Sequence, residues 1–377
     1  MSDGGASGPT EGGANGPSAS GASGGSNDRR GRRRLLYAAL GIAVVVGFVY
    51  FVVPQLTGLG PTLHRLRSAD PAWLALGVVL EALSLGGYIA LFRTVFSCHE
   101  ARIGWRASYQ ITMAGVVATK LFAAAGAGGV ALTVWALRAS GLGARSVARR
   151  MVGFELLLYA VYAGALVIVG IGLRSGLLAG PAPWALTVVP AILGGAVIVI
   201  VLSAGALPRD LERRARGLGH GGRVRRVLGK IATLPWTVRD GLGVAVELIR
   251  EGRIALLGAV AYWGLDIATL WASFHAFGKP PPGGVIVMAY FVGALANALP
   301  IPGGFGGVEG GMIGAFLAFG TNASLAVLAV LSYRAISFWL PTLPGAAAYV
   351  QLRRTVSRWR EEAGSVAAVP ASPAGPG

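Results

Sequence analysis

Eight ionisable side chains fall inside long apolar runs of this sequence: Glu81, Arg93, Lys120, Glu155, Asp266, His275, Glu309 and Arg334. In hydrocarbon each costs roughly 2.5–3.5 kcal/mol on insertion scales, so it persists where it has a partner or a task. Arg93, Glu155 and His275 lie near the ends of their runs, from which a long side chain reaches the interface. Glu81, Lys120, Asp266, Glu309 and Arg334 lie deeper. Two chemistries suit them: ion pairing inside a helical bundle, or a polar pathway through it. The two are compatible, because a pathway also needs its charges paired at rest.

Other chemistries lack their residues. The histidines His64, His99, His220 and His275 are scattered and show no HExxH or similar metal spacing. Cys98 is the only cysteine, which excludes a disulfide framework or a cysteine-ligated zinc site within one chain. No Ser-His-Asp constellation stands in a recognisable context. Gly126 to Ala131 fits GxGxxA but has no βαβ surroundings, and the glycine run before Glu309 lacks the GK[ST] ending of a phosphate loop. No catalytic residue, metal or cofactor is expected.

The elements that carry the charges are membrane spans. The chain has 377 residues, 54% hydrophobic and 13% charged, where a soluble domain carries about 25% charged. Mean hydropathy is +0.62. A soluble enzyme fold is thereby excluded for most of the chain. Continuous apolar runs of spanning length cover 35–53, 72–96, 151–172, 184–204, 254–277 and 324–350. Two more, 109–137 and 285–320, are broken by glycine: Gly126-Ala127-Gly128-Gly129 in the first, Pro300-Ile301-Pro302-Gly303-Gly304-Phe305-Gly306-Gly307 in the second.

Lys and Arg number 33 against 16 Asp and Glu, a formal charge of +17. Most of the excess lies in tails and connections, so it reads as the positive-inside bias of a multi-pass protein and not as a nucleic-acid surface. Residues 1–34 form a Gly/Ser-rich basic tail expected to be disordered. Residues 35–352 form the membrane domain, with 205–253 as a basic cytoplasmic connection and 353–377 as a cytoplasmic tail. Within the connection, 208–230 mixes Arg with Leu, Val and Ile at helical spacing, which suits an amphipathic helix on an anionic membrane surface. Both termini are expected in the cytoplasm, with the protein in the inner cell membrane. Only three Lys against 59 Gly suit a GC-rich, bacterial coding sequence.

This charge pattern puts both flanks of 109–137 inside and both flanks of 285–320 outside. The expected fold is an all-α polytopic membrane protein of six full spans and two glycine-broken re-entrant hairpins, eight hydrophobic segments in all. The order 72–96, 109–137, 151–172 returns upside down as 254–277, 285–320, 324–350. Such an inverted repeat with interrupted helices points to a transporter. Two ordinary kinked spans are the alternative.

Leu299 to Gly311 is the most informative stretch. Pro300 and Pro302 stop a helix. Gly303, Gly304, Gly306 and Gly307 permit tight turns and close backbone approach. A helix starting near Val308 would offer free N–H groups to an anion such as phosphate. Glu309 either satisfies that helix start or gates the site, binding a cation or a headgroup amine. Gly128 and Gly129 open a mirrored start in the first hairpin, where Lys120 adds a compact positive charge. The candidate substrate-binding residues are therefore Lys120, Gly128, Gly129, Pro302, Gly303, Gly304, Gly306, Gly307, Glu309 and Arg334. Glu81, Glu155 and Asp266 are their candidate buried charge partners.

The run Pro300 to Glu309, followed by Tyr333-Arg334, Phe338-Trp339-Leu340-Pro341 and Gly345, resembles the flippase-like membrane domain of lysylphosphatidylglycerol synthases. The likeness covers 35–352. In the first half, Gly126 to Gly129 followed by Trp135-Ala136-Leu137-Arg138 is similar in placement, with Gly128-Gly129 where relatives commonly carry Gly-Glu. The resemblance implies a protein that moves a polar-headed lipid between leaflets. Its partners would be membrane lipids with anionic or phosphate-bearing headgroups, and a second copy or a separate lipid-modifying enzyme. Bifunctional members add a soluble aminoacyl-transfer domain; here only residues 353–377 follow, so lipid aminoacylation by this chain alone is not expected. Two competing readings are a transferase acting on a polyprenyl-phosphate or phospholipid, and a membrane subunit of a separate synthase. The transferase reading lacks paired carboxylates: Asp210, Glu212, Asp240, Glu247 and Glu251 show no such spacing.

Overall fold

Helix is the only regular structure among the described residues, as an apolar chain requires where no water is at hand to satisfy its backbone. The computed structural model describes residues 69–97, 103–121, 127–206, 223–252, 254–298 and 306–367. The tail 1–34, the expected first span 35–53, residues 208–222 of the expected amphipathic segment, and Pro302, Gly303 and Gly304 lie outside them. Ten helices follow in order: α1 (Pro71–Phe96), α2 (Trp105–Leu121), α3 (Ala127–Ala139), α4 (Ala144–Arg174), α5 (Trp184–Gly205), α6 (Arg223–Glu251), α7 (Ile254–His275), α8 (Gly283–Ala294), α9 (Gly307–Ala318) and α10 (Ala323–Ala367).

Local chemistry sets several of the starts. Asp70 caps α1, its Oδ1 accepting the Ala72 N–H at 2.9 Å, and Pro71 occupies the first turn, where a missing N–H costs nothing. Three prolines, 280–282, precede α8. Asn322 Oδ1 accepts the Leu325 N–H at 3.2 Å before α10.

Five helices are long and apolar enough to cross a membrane, namely α1, α4, α5, α7 and α10. They carry the runs expected at 72–96, 151–172, 184–204, 254–277 and 324–350, so the chain is a multi-pass membrane protein. Two helices outrun their apolar runs. α4 begins at Ala144 and takes in Arg145, Arg149 and Arg150. α10 continues past 352 to Ala367, because Leu352 and Val356 keep an apolar stripe that is buried with Phe96, Ile103 and Ala107. Hydropathy marks the hydrocarbon portion of a helix, not its end. The connection 205–253 contains α6, which packs on α4 and α5, with Val244 against Gly153 and Leu242 against Gly205.

The remaining helices form two half-depth pairs. α8 and α9 have 12 residues each, about 18 Å of helix against ~30 Å of hydrocarbon. α2 and α3, of 17 and 13 residues, are likewise too short as a pair for two crossings. Side-chain contacts show where each pair enters. α1 and α7 run antiparallel, with the Asp70 N–H on Ala276 O at 2.9 Å and Ser84 Oγ on Tyr262 O at 2.7 Å. The α8–α9 pair comes in beside the end of α7, where the Phe274 and Phe316 rings lie 4.8 Å apart, and turns back level with Arg334 of α10. The α2–α3 pair comes in from the other end, where Thr355 Oγ1 donates to Gln110 Oε1 at 3.0 Å, and its first arm reaches Ser337 of α10 through Lys120. The inner ends of α2 and α9 therefore lie level with one another, about halfway along the membrane part of α10. One apolar core lies around Phe96, Phe154 and Leu352, a second around Phe274, Phe291 and Phe316, and the charged residues fall between them.

Opposed entry gives a direct expectation. In a background lacking Cys98, cysteine at Gly128 reacts with an impermeant thiol reagent from one side of the membrane only, and cysteine at Gly306 from the other only. Labelling of both from the same side contradicts the opposed arrangement.

Candidate functional site

Between the two cores lies a cavity of about 580 Å³, bounded by α1–α4 and α7–α10. Lys120, Arg334 and one oxygen of Asp266 on its wall are each held by a specific feature of the sequence. Lys120 closes α2, and its ammonium donates to the backbone carbonyl of Ser337 and lies 5.3 Å from the centre of the Phe338 ring. That carbonyl is available because of Pro341. In a helix the Ser337 oxygen would accept the N–H four residues on, and proline has none. A proline in α10 thus creates the acceptor that a lysine in α2 fills.

Glu309 divides its carboxylate between two tasks. Oε2 accepts the Gly306 N–H at 2.8 Å, and Oε1 accepts from Arg334 Nε at 2.6 Å. Gly306 has φ +79°, a conformation glycine adopts without strain, and this turns the chain into α9. Glu309 satisfies the helix start, as the first of its two readings expects, and it also ties that start to α10. The start of α9 thereby already holds an anion of the protein's own.

Asp266 on α7 is fixed by two phenols. Its Oδ2 accepts from Tyr290 of α8 and from Tyr333 of α10, the latter at 3.1 Å. Glu81 on α1 stands beside it, and both carboxyls line the cavity. Glu155 on α4 is half-buried and lines the same space near Tyr88 and Tyr159. Trp263 closes the wall by donating Nε1–H to Leu158 O at 2.9 Å.

Of the sequence candidates, Glu81, Lys120, Gly129, Glu155, Asp266 and Arg334 converge on this one cavity. Glu309 joins through Arg334, with Gly306 and Gly307 behind it at the turn. Gly128 is half-buried in the first turn of α3 and is not among the lining residues. Arg93 and His275 lie elsewhere: Arg93 stacks 4.4 Å over Trp105, and the His275 ring stacks at 4.3 Å on Trp73. Sequence reasoning missed Tyr88, Tyr262 and Tyr290. Their signal was present, since a phenol in an apolar run must place its hydroxyl somewhere.

Comparison with known proteins adds the family. The pattern of the family described as "Lysylphosphatidylglycerol synthase TM region" matches residues 38–345. A "UPF0104 membrane protein" of Methanothermobacter thermautotrophicus is 26% identical over 347 residues, covering 84% of this chain and 93% of that protein. A second protein of the same description and organism is 26% identical over 340 residues, covering 84% and 96%. A third is 34% identical over 85 residues, 22% of this chain and 25% of that protein.

Proposed function

The chain belongs to the lysylphosphatidylglycerol synthase transmembrane-region family, and from that premise we propose that it is a lipid translocase. It carries a polar-headed, phosphate-bearing lipid between the leaflets of the inner cell membrane, with both termini in the cytoplasm. The carrying observation is the polar cavity at mid-depth between the tips of two opposed half-helix pairs, with Lys120 and Arg334 on its wall.

The dimensions favour a headgroup over a whole lipid. A cavity of about 580 Å³ falls in the ~300–1,000 Å³ range of small-molecule sites, and the acyl tails stay in the bilayer. Val130 and Tyr159 on the rim are 44% and 53% exposed, so the cavity is reached at mid-depth between α3 and α4. The outer faces suit contact with tails: Ile192, Val199 and Ile200 of α5 are exposed.

The test is leaflet exchange of a tail-labelled phosphatidylglycerol in vesicles containing the purified protein. Lys120→Gln keeps a donor for Ser337 O and removes the charge. A charge-assisted hydrogen bond to the headgroup is worth about 1.5–3 kcal/mol, so exchange at low lipid density falls about tenfold or more. Exchange that survives removal of Glu309 and Arg334 together counts against this cavity as the route.

A further inference from the structure

Two oxygens on the cavity wall have no hydrogen-bond partner. Glu81 Oε2 on α1 and Asp266 Oδ1 on α7 are buried and accept nothing. Their residues are 5% and 8% exposed. The two carboxyls are neighbours on one wall of the cavity, and the other oxygen of Asp266 is already occupied by Tyr290 and Tyr333. Two ionised carboxylates in contact away from water repel, and neither can donate to the other. A single proton placed between them removes both difficulties, since a protonated carboxyl donates and its neighbour accepts.

The surroundings connect this proton to the headgroup site. The ionisable groups that face the pair are Tyr262 from α7, Lys120 from α2, Tyr290 from α8 through Asp266, and Tyr333 and Arg334 from α10, while Tyr88 of α1 and Glu155 of α4 line the same cavity. When both carboxyls are ionised, they compete with a phosphate for the positive field of Lys120 and Arg334. With one proton in place, that competition is reduced. Proton binding and anion binding thus favour each other, and the linkage is reciprocal.

We propose that Glu81 and Asp266 hold one shared proton, and that this proton crosses together with an anionic headgroup, making the protein a proton–lipid symporter. The proposal rests on the translocase reading above. The proton binds from one side, stays on the carboxyl pair while the headgroup is in the cavity, and leaves on the other side; no covalent bond changes. A singly charged headgroup and one proton carry no net charge, which avoids moving a bare charge past hydrocarbon.

Two measurements test it. The first is infrared spectroscopy of the purified protein. The wild type shows the carbonyl stretch of a buried protonated carboxyl at neutral pH, and Glu81→Gln and Asp266→Asn each abolish it. The absence of that band in the wild type overturns the proposal. The second uses vesicles of phosphatidylcholine with tail-labelled phosphatidylglycerol, the membrane potential held at zero and a gradient of one pH unit imposed. The label accumulates about tenfold in the leaflet facing the alkaline side, and Glu81→Gln returns the ratio to one. Exchange that ignores the pH gradient, or follows a sodium gradient instead, overturns the coupling. Where the label does not exchange at all, the translocase reading fails, and the shared proton is decided by the infrared band.

Discussion

Glu309→Ala is expected to cost roughly 2–3 kcal/mol of stability, because it removes the carboxylate from a sheltered ion pair that ties α9 to α10. The pair is sheltered, with side chains 14% exposed for Arg334 and 7% for Glu309. The same carboxylate also caps α9, and loss of a cap adds about 1 kcal/mol. Melting of the wild type, Glu309→Ala, Arg334→Ala and the double variant in one detergent closes a double-mutant cycle. The double variant should lose clearly less than the two single losses added, as contacting groups do. Glu309→Gln separates the tasks: its amide oxygen still accepts from Gly306, so it recovers the cap but not the ion pair. Additive losses would mean that α9 is not tied to α10 through this contact.

Gly129→Ala is the second large effect. A methyl group there would lie 2.6 Å from the Gly115 carbonyl oxygen and against Thr119 Oγ1. The hydroxyl can turn away, but the carbonyl belongs to α2 and cannot. Overpacking of this kind costs about 1–3 kcal/mol, and here it pries apart the arms of the first hairpin. The second hairpin has the same construction. Gly293→Ala drives a methyl group to 2.8 Å from the Met312 amide nitrogen. Both variants should melt well below the wild type and lose exchange activity. Gly86→Ala is the control: nothing lies within 4 Å of the added carbon, and alanine favours a helix over glycine by ~1 kcal/mol. Adding Thr119→Ala to Gly129→Ala should rescue only part of the loss, since the carbonyl clash remains.

The long helices were readable because a run of twenty apolar residues has few other fates. The hairpins were readable because Gly126 to Gly129 and Pro300 to Gly307 interrupt runs that otherwise have spanning length. That Glu81, Lys120, Asp266 and Arg334 need partners or a polar pathway followed from what a charge costs in hydrocarbon, but not that they line one cavity. Their partners did not follow. Asp266 is held by Tyr290 and Tyr333, 24 and 67 residues away, and hydropathy gives no such distances. Lys120 finds a backbone carbonyl, which bears no mark in the sequence beyond the proline four residues on. Glu309 as a cap was legible from its place three residues after Gly306, but its second partner, Arg334, lies 25 residues on and was not. The far end of α10 was invisible to hydropathy because Leu352 and Val356 are too few to raise an average, although they suffice to bury one stripe.

The gap that Pro341 leaves at Ser337 has a consequence for water. A peptide oxygen in the middle of a bilayer cannot stay dry and bare. While Lys120 serves it, the wall is sealed by the protein alone. In the proposed cycle, a phosphate that draws the ammonium away leaves that oxygen to a water molecule. On that reading, admission of cargo and irrigation of the passage are one event, and the idle protein keeps its proline notch plugged against leakage.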